Sequence, residues 1–279
     1  MKKLMTGSIL GLCLLFFGLP TVSAQEKQDQ SMGPPKVLVI VREYVKPGKA
    51  GSLHEKSESA FVQAMTTAKW PTHYFAAASL SGQSRTLFFT GYDSFEAWEK
   101  DNLATQGNAT LSAALDSAAV ADGDLLTTYD SSVLAYREDL SLRVANTDIA
   151  HMRYFEISRF VVRPGHAKEW ETLVKMYTSG YEKAVPDAHW AVFQSVYGMD
   201  NGGVYLVFSP LKSLSETDRG FADSKKFEAA MGESDMKKLG ELEASCVESS
   251  QTNVFMFNPK MSYAPDTWIK ADPTFWSTK

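Results

Sequence analysis

At 279 residues with a formal charge of -5, the chain is long enough for two small domains and carries no basic excess. No cluster of Lys or Arg stands out locally, which excludes an electrostatic case for nucleic-acid binding. Its 44% hydrophobic residues exclude a disordered chain and suit an ordinary globular core.

Lys2 and Lys3 precede an apolar run from Ile9 to Leu19, and Val22-Ser23-Ala24 has the small-x-small form of a signal peptidase site. The run is too short to span a bilayer. Residues 1–24 are therefore expected to be a signal peptide and residues 25–35 a linker. The destination is periplasmic or secreted, with no membrane association after cleavage. Cleavage removes two lysines, moving the charge from -5 to -7, and leaves Cys246 as the only cysteine. No intramolecular disulfide can then form. Cys246 follows Leu239 and Leu242 at helical spacing, so a buried, inert thiol is expected.

Lys36 to Val45 reads as a strand, broken by Pro47-Gly48. A helix is expected from Lys49, with Leu53, Ala60, Phe61, Ala64 and Met65 on its packing face and His54, Glu55, Lys56 and Glu58 elsewhere. His73 to Leu80 and Arg85 to Thr90 read as strands around a Ser81–Ser84 turn. Asp93 and Glu96 have capping-box spacing before a helix through Trp98, an Ala-rich helix covers Leu111 to Val120, and Ser132 to Tyr136 closes the unit.

The second half follows the same order. Tyr154 to Val162 is a strand, and Trp170, Leu173, Val174, Tyr177, Tyr181 and Ala184 form a helical stripe. His189-Trp190 opens another strand, Met199–Gly203 is a hairpin turn, and Val204 to Phe208 is the next strand. Ser213 and Glu216 repeat the cap, Phe227 to Leu242 supply helical packing residues, and Asn253 to Phe257 closes. Arg42-Glu43-Tyr44-Val45-Lys46-Pro47-Gly48 is echoed by Arg159-Phe160-Val161-Val162-Arg163-Pro164-Gly165. Two copies of one β-α-β-β-α-β unit, over residues 36–145 and 150–262, account for this order, with an aromatic tail over 263–279.

The run hydrophobic-Arg-aromatic-x-Val-Lys-Pro-Gly, then a helix, a hairpin and a Ser-x-x-Ala or Ser-x-x-Glu helix start, resembles the dimeric α+β barrel superfamily, in particular its antibiotic-biosynthesis-monooxygenase-like and NIPSNAP-like members. The resemblance implies an α+β fold of tandem ferredoxin-like repeats forming one pseudo-twofold barrel. It specifies fold more than activity. The small haem-degrading members carry a strand Asn and a helix Trp and His. Here Val41 and Ser158 stand at the first position, and no histidine lies between His73 and His151. That mechanism is not expected.

Residues that recur in both copies are candidate site residues. Arg42 and Arg159, expected at the ends of the barrel and the seam between copies, suit a carboxylate or phosphate, or pairing with acids at the barrel rim that helps set the docking of the halves. His73 and His189, each before an aromatic, are the catalytic candidates, and the alternative is loop hydrogen bonding. With Tyr44, Tyr74, Trp98 and Trp190 they make a starting set for a small apolar or aromatic ligand in a helix–sheet cleft. The other readings are a cofactor-independent monooxygenase or isomerase, and a structural protein with a filled barrel. No cofactor is expected, and no metal-ligand spacing is found; His54, His151 and His166 read as surface residues. The tail, with Tyr263, Trp268, Phe275 and Trp276, reads either as a strap over the barrel or as the contact of a homo-oligomer.

Overall fold

The computed structural model describes residues 33–199 and 203–277. The expected signal peptide, most of the linker, and Asp200, Asn201 and Gly202 of the expected hairpin turn lie outside the described residues. Eight strands alternate with helices: β1 (Val37–Val45), α1 (Ser52–Ala68), β2 (Tyr74–Ser79), β3 (Arg85–Tyr92), α2 (Phe95–Gly107), α3 (Ala109–Gly123) and β4 (Leu126–Tyr136) come first. Three short 3-10 turns between Glu138 and His151 lead to β5 (Tyr154–Val162), α4 (Ala167–Ala184), β6 (Ala191–Tyr197), β7 (Val204–Leu211), α5 (Ser215–Cys246) and β8 (Val247–Tyr263). Two short tail helices, α6 (Asp266–Ala271) and α7 (Pro273–Trp276), end the described chain.

The strands close into one barrel in the order β1-β3-β2-β8-β5-β7-β6-β4, with every pairing antiparallel. Closure removes the unpaired edges an open sheet would expose. Within the N-terminal half the strand order is β4-β1-β3-β2, and within the C-terminal half β8-β5-β7-β6. The halves join through β2–β8 and β4–β6.

Strand alternation divides the residues into two faces. Leu38, Ile40, Phe89, Phe155, Phe208 and Phe257 point inward and fill the barrel, with Trp276, Trp268 and Phe275 of the tail packed against them. Outward-facing residues meet the helices. On α4 the expected stripe is observed, with Trp170, Leu173 and Val174 buried and Tyr177 and Tyr181 partly so. Cys246 is fully buried beside them. Gly232 breaks α5 with a φ of 74°, a conformation open to glycine.

Three local expectations are corrected. The buried face of α1 is His54, Glu58 and Ala64, while Leu53 is exposed. Ser94, not Asp93, caps α2, its side chain accepting from the Ala97 N–H at 3.0 Å. Arg42 lies away from the seam between halves, because β1 is flanked by β3 and β4 and takes no part in either joining pair.

Candidate metal centre

Glu43 lies on the outward face of β1, next to Thr86 of β3 in the strand register. Gly48 and Gly51, with φ of 77° and 74°, turn the chain back so that α1 crosses over this face. His54 and Glu58 are four residues apart and share one side of that helix. Asp122 enters from the last turns of α3. Glu55, also on α1, ties the helix to β8 by accepting from Asn258 Nδ2 at 3.0 Å and pairing with Lys260 at 3.0 Å.

Four side chains from three elements therefore converge. One ligand atom from each of Glu43, His54, Glu58 and Asp122 can be chosen so that all lie within 4.8 Å of one another. His54 Nε2 is 3.0 Å from Glu43 Oε2, 3.7 Å from Asp122 Oδ1 and 3.9 Å from Glu58 Oε1. His54 and Asp122 are each 2% exposed and Glu58 3%. With both carboxyls ionised, the Asp122 oxygens and Glu58 Oε1 are buried without a donor, as the Tyr74 hydroxyl is without a partner; a protonated Glu58 can donate to Asp122.

Such a group is expensive without a cation. Burial, followed by the nearby Glu43 and Asp122 charges, pushes the Glu58 carboxyl up to about 10. Burial also raises Glu43, against the hydrogen bond from His54 that lowers it. The Tyr74 phenol is pushed up by burial first and then by the Glu58 and Glu43 charges, which puts it within electrostatic reach of the cluster. Without a metal, the His54 Nε2–H donates to Glu43. With Nε2 on a cation, the proton belongs on Nδ1, and Thr86 Oγ1 stands 3.4 Å away to accept it. Three carboxylate oxygens and one imidazole nitrogen are the donor set of a divalent first-row ion such as Mn2+, Fe2+ or Zn2+.

His54 is thus a buried residue, not the surface residue the sequence suggested. The signal available in the sequence was the His54-x-x-x-Glu58 spacing. Nothing local pointed to Glu43 or Asp122 as their partners.

The other candidate residues are dispersed. His73 stacks on Tyr263 at 4.5 Å, with Nδ1 3.2 Å from the Tyr263 carbonyl oxygen. His189 has Nδ1 2.8 Å from the Asp187 carbonyl oxygen and Nε2 3.1 Å from that of Pro210. The two histidines are held in separate loops, each against backbone carbonyls. Arg42 pairs with Asp130 and donates to Ser132 Oγ at 2.8 Å, so its charge is already matched. Tyr44, opposite Arg85 in the register, shares the barrel end with Arg42, while Arg159 lies on β5 opposite Leu206. Trp98 packs in a small core with Val37, Tyr92 and Val133. Trp190 and His189 do come together, lining a cleft of about 480 Å³ between α4, α5 and the outer face of β5 and β7. Tyr74 alone of the set lies by the carboxylate cluster.

No protein-family model matches the chain, and no curated protein matches it. Solved structures do. An anthrone oxidase-like protein superposes with a TM-score of 0.51 at 12% identity, over 82% of this chain and 93% of its own. A candidate monooxygenase from Fusobacterium nucleatum subsp. nucleatum gives 0.51 at 11% identity, over 80% and 93%. A chlorite dismutase variant from Candidatus Nitrospira defluvii reaches 0.47 at 10% identity, over 84% and 96%. At these identities the first two speak for fold alone, and together with the strand order they make this chain an α+β barrel.

Proposed function

We propose that this protein binds a divalent first-row metal ion through Glu43, His54, Glu58 and Asp122. The observation that carries the reading is the buried convergence of four donors from three elements. Four protein ligands on an ion that accepts five or six leave room for water or a substrate. Glu43, with 13% of its side chain exposed, is the ligand nearest solvent and marks the side of entry.

The fold does not require this group. We read the two halves as copies of one ferredoxin-like unit, which the matching strand orders support. The Glu43–Thr86 register position then corresponds to Phe160–Tyr205 in the second copy, where Trp170 packs between aromatic rings. One copy fills the position with apolar packing and the other with carboxylates, so the carboxylates answer to a ligand. An oxygenase role, as the names of the fold neighbours suggest, would on this reading be metal-dependent rather than cofactor-free. Export with cleavage after Ala24 remains part of the proposal. A mature chain that does not begin at Gln25 by N-terminal sequencing would count against it.

Calorimetric titration of chelator-stripped protein with Mn2+, Fe2+ under anaerobic conditions, and Zn2+ tests the site. One ion per chain is expected. The apparent affinity should rise with pH, because binding displaces protons held by the ligands. Asp122→Asn and His54→Gln should each weaken binding by more than the roughly 10–100-fold typical of losing an outer partner. Equal binding by both folded variants and the parent would overturn the assignment.

A second reading has its own support. The cleft of about 480 Å³ beside Trp190 and His189 is the size of a small-molecule site. It fits the expectation of a small ligand between helices and sheet, there in the C-terminal half.

A further inference from the structure

The cleft walls are aromatic. Phe160, Trp170, Tyr177, Tyr181 and Trp190 line it, and Tyr181 meets Trp190 edge to face at 5.6 Å. Its charged residues are mostly acidic. Arg219 is the lone arginine and stands 3.7 Å from Glu216, while Asp223 pairs with Lys226 at 2.7 Å. Glu156 differs from these. It sits on β5 between Phe155 and Ile157, which face the barrel interior, so its own side chain projects outward into the cleft.

Glu156 is partly buried and makes no hydrogen bond or ion pair among the described residues. Burial raises its carboxyl above the ordinary 4.5, with no opposing interaction. A carboxylate partly shielded from water gains from a cationic partner, and the aromatic faces around it attract positive charge. The His189 ring is held elsewhere, its nitrogens against the Asp187 and Pro210 carbonyl oxygens rather than on Glu156.

We infer that this cleft binds a small organic cation, an alkyl or aryl ammonium, with its positive head on Glu156 and its apolar body against Tyr181 and Trp190. The inference rests on the second reading above and names its ligand class. It is independent of the metal centre.

Three near-isosteric probes test it: 2-phenylethylammonium, 2-phenylethanol and phenylacetate, each titrated calorimetrically and by tryptophan fluorescence. The ammonium should bind at least about tenfold more tightly than the alcohol, and phenylacetate should not bind. Glu156→Gln should reduce the ammonium affinity about tenfold or more and leave the alcohol unchanged, the pattern expected for a charge-assisted contact. Equal affinity for ammonium and alcohol would overturn the cation assignment while keeping a ligand cleft. Binding of none of the three would overturn both. If Glu156→Gln fails to fold, the comparison of the three probes on the parent protein still decides.

Discussion

Glu58 lies among other carboxylates with almost no access to water, so ionising it in the metal-free protein brings like charges together in a poor solvent. Its carboxyl titrates near an ordinary 4.5 in the unfolded chain and is pushed up to about 10 in the fold. Between those values the folded state holds the extra proton. The stability this confers is complete below about pH 4.5 and is lost as the pH rises toward 10. Glu43, also raised by burial, adds to the same trend. Metal-free protein should therefore melt at falling temperature from about pH 5 to pH 9, and Glu58→Gln should flatten that slope. Saturating metal should flatten it too, by compensating the carboxylate charge. A parent and a Glu58→Gln variant with the same slope would contradict the account. This residue was readable in the sequence only as half of a helical His-x-x-x-Glu pair. Packing faces are inferred from apolar side chains, so a helix that buries His and Glu presents its functional side as if it were solvent-facing. Leu53, expected inside, is exposed for the same reason.

Among the elements, α4 shows how well an apolar stripe reports its own packing. Its aromatic and aliphatic positions were legible from spacing alone. What the spacing did not reveal was Gly180, where α4 approaches α5 so closely that an added Cβ would lie 2.4 Å from a Phe227 ring carbon and 2.7 Å from Met231 Sδ. Gly180→Ala should cost about 1–3 kcal/mol by overpacking, measured by urea denaturation. A neutral result would mean that α5, already interrupted at Gly232, shifts aside freely. The tail is a second case. Aromatic content left strap and subunit contact equally open, and the structure shows it strapped. Trp276 is buried against Phe257 and Trp268, and its Nε1–H donates to the Ala150 carbonyl at 2.7 Å. Arg153 pairs with Asp272 and stacks over Phe275 at 4.0 Å. Trp276→Ala should cost about 3–5 kcal/mol, a loss that a tail held only by another copy would not show in dilute protein.

At the scale of the molecule, hairpins and helix order were legible because turns and stripes are local. Barrel closure came only through the resemblance to α+β barrels and not from local pattern, since β2 meets β8 and β4 meets β6 across long stretches of sequence. This is also why β8 runs 17 residues where five were expected: it pairs with β5 along one edge and β2 along the other. The same long-range folding assembles the four-donor cluster, bringing Asp122 to a strand and helix far upstream. One measurement tests the proposed metal site most directly, the anomalous difference map of crystals grown with Mn2+ or Zn2+ and recorded at the metal edge. The expected result is a single strong peak about 2.0–2.3 Å from His54 Nε2 and from oxygens of Glu43, Glu58 and Asp122. A map with no peak among these four side chains, at a metal concentration that saturates the protein in solution, would contradict it.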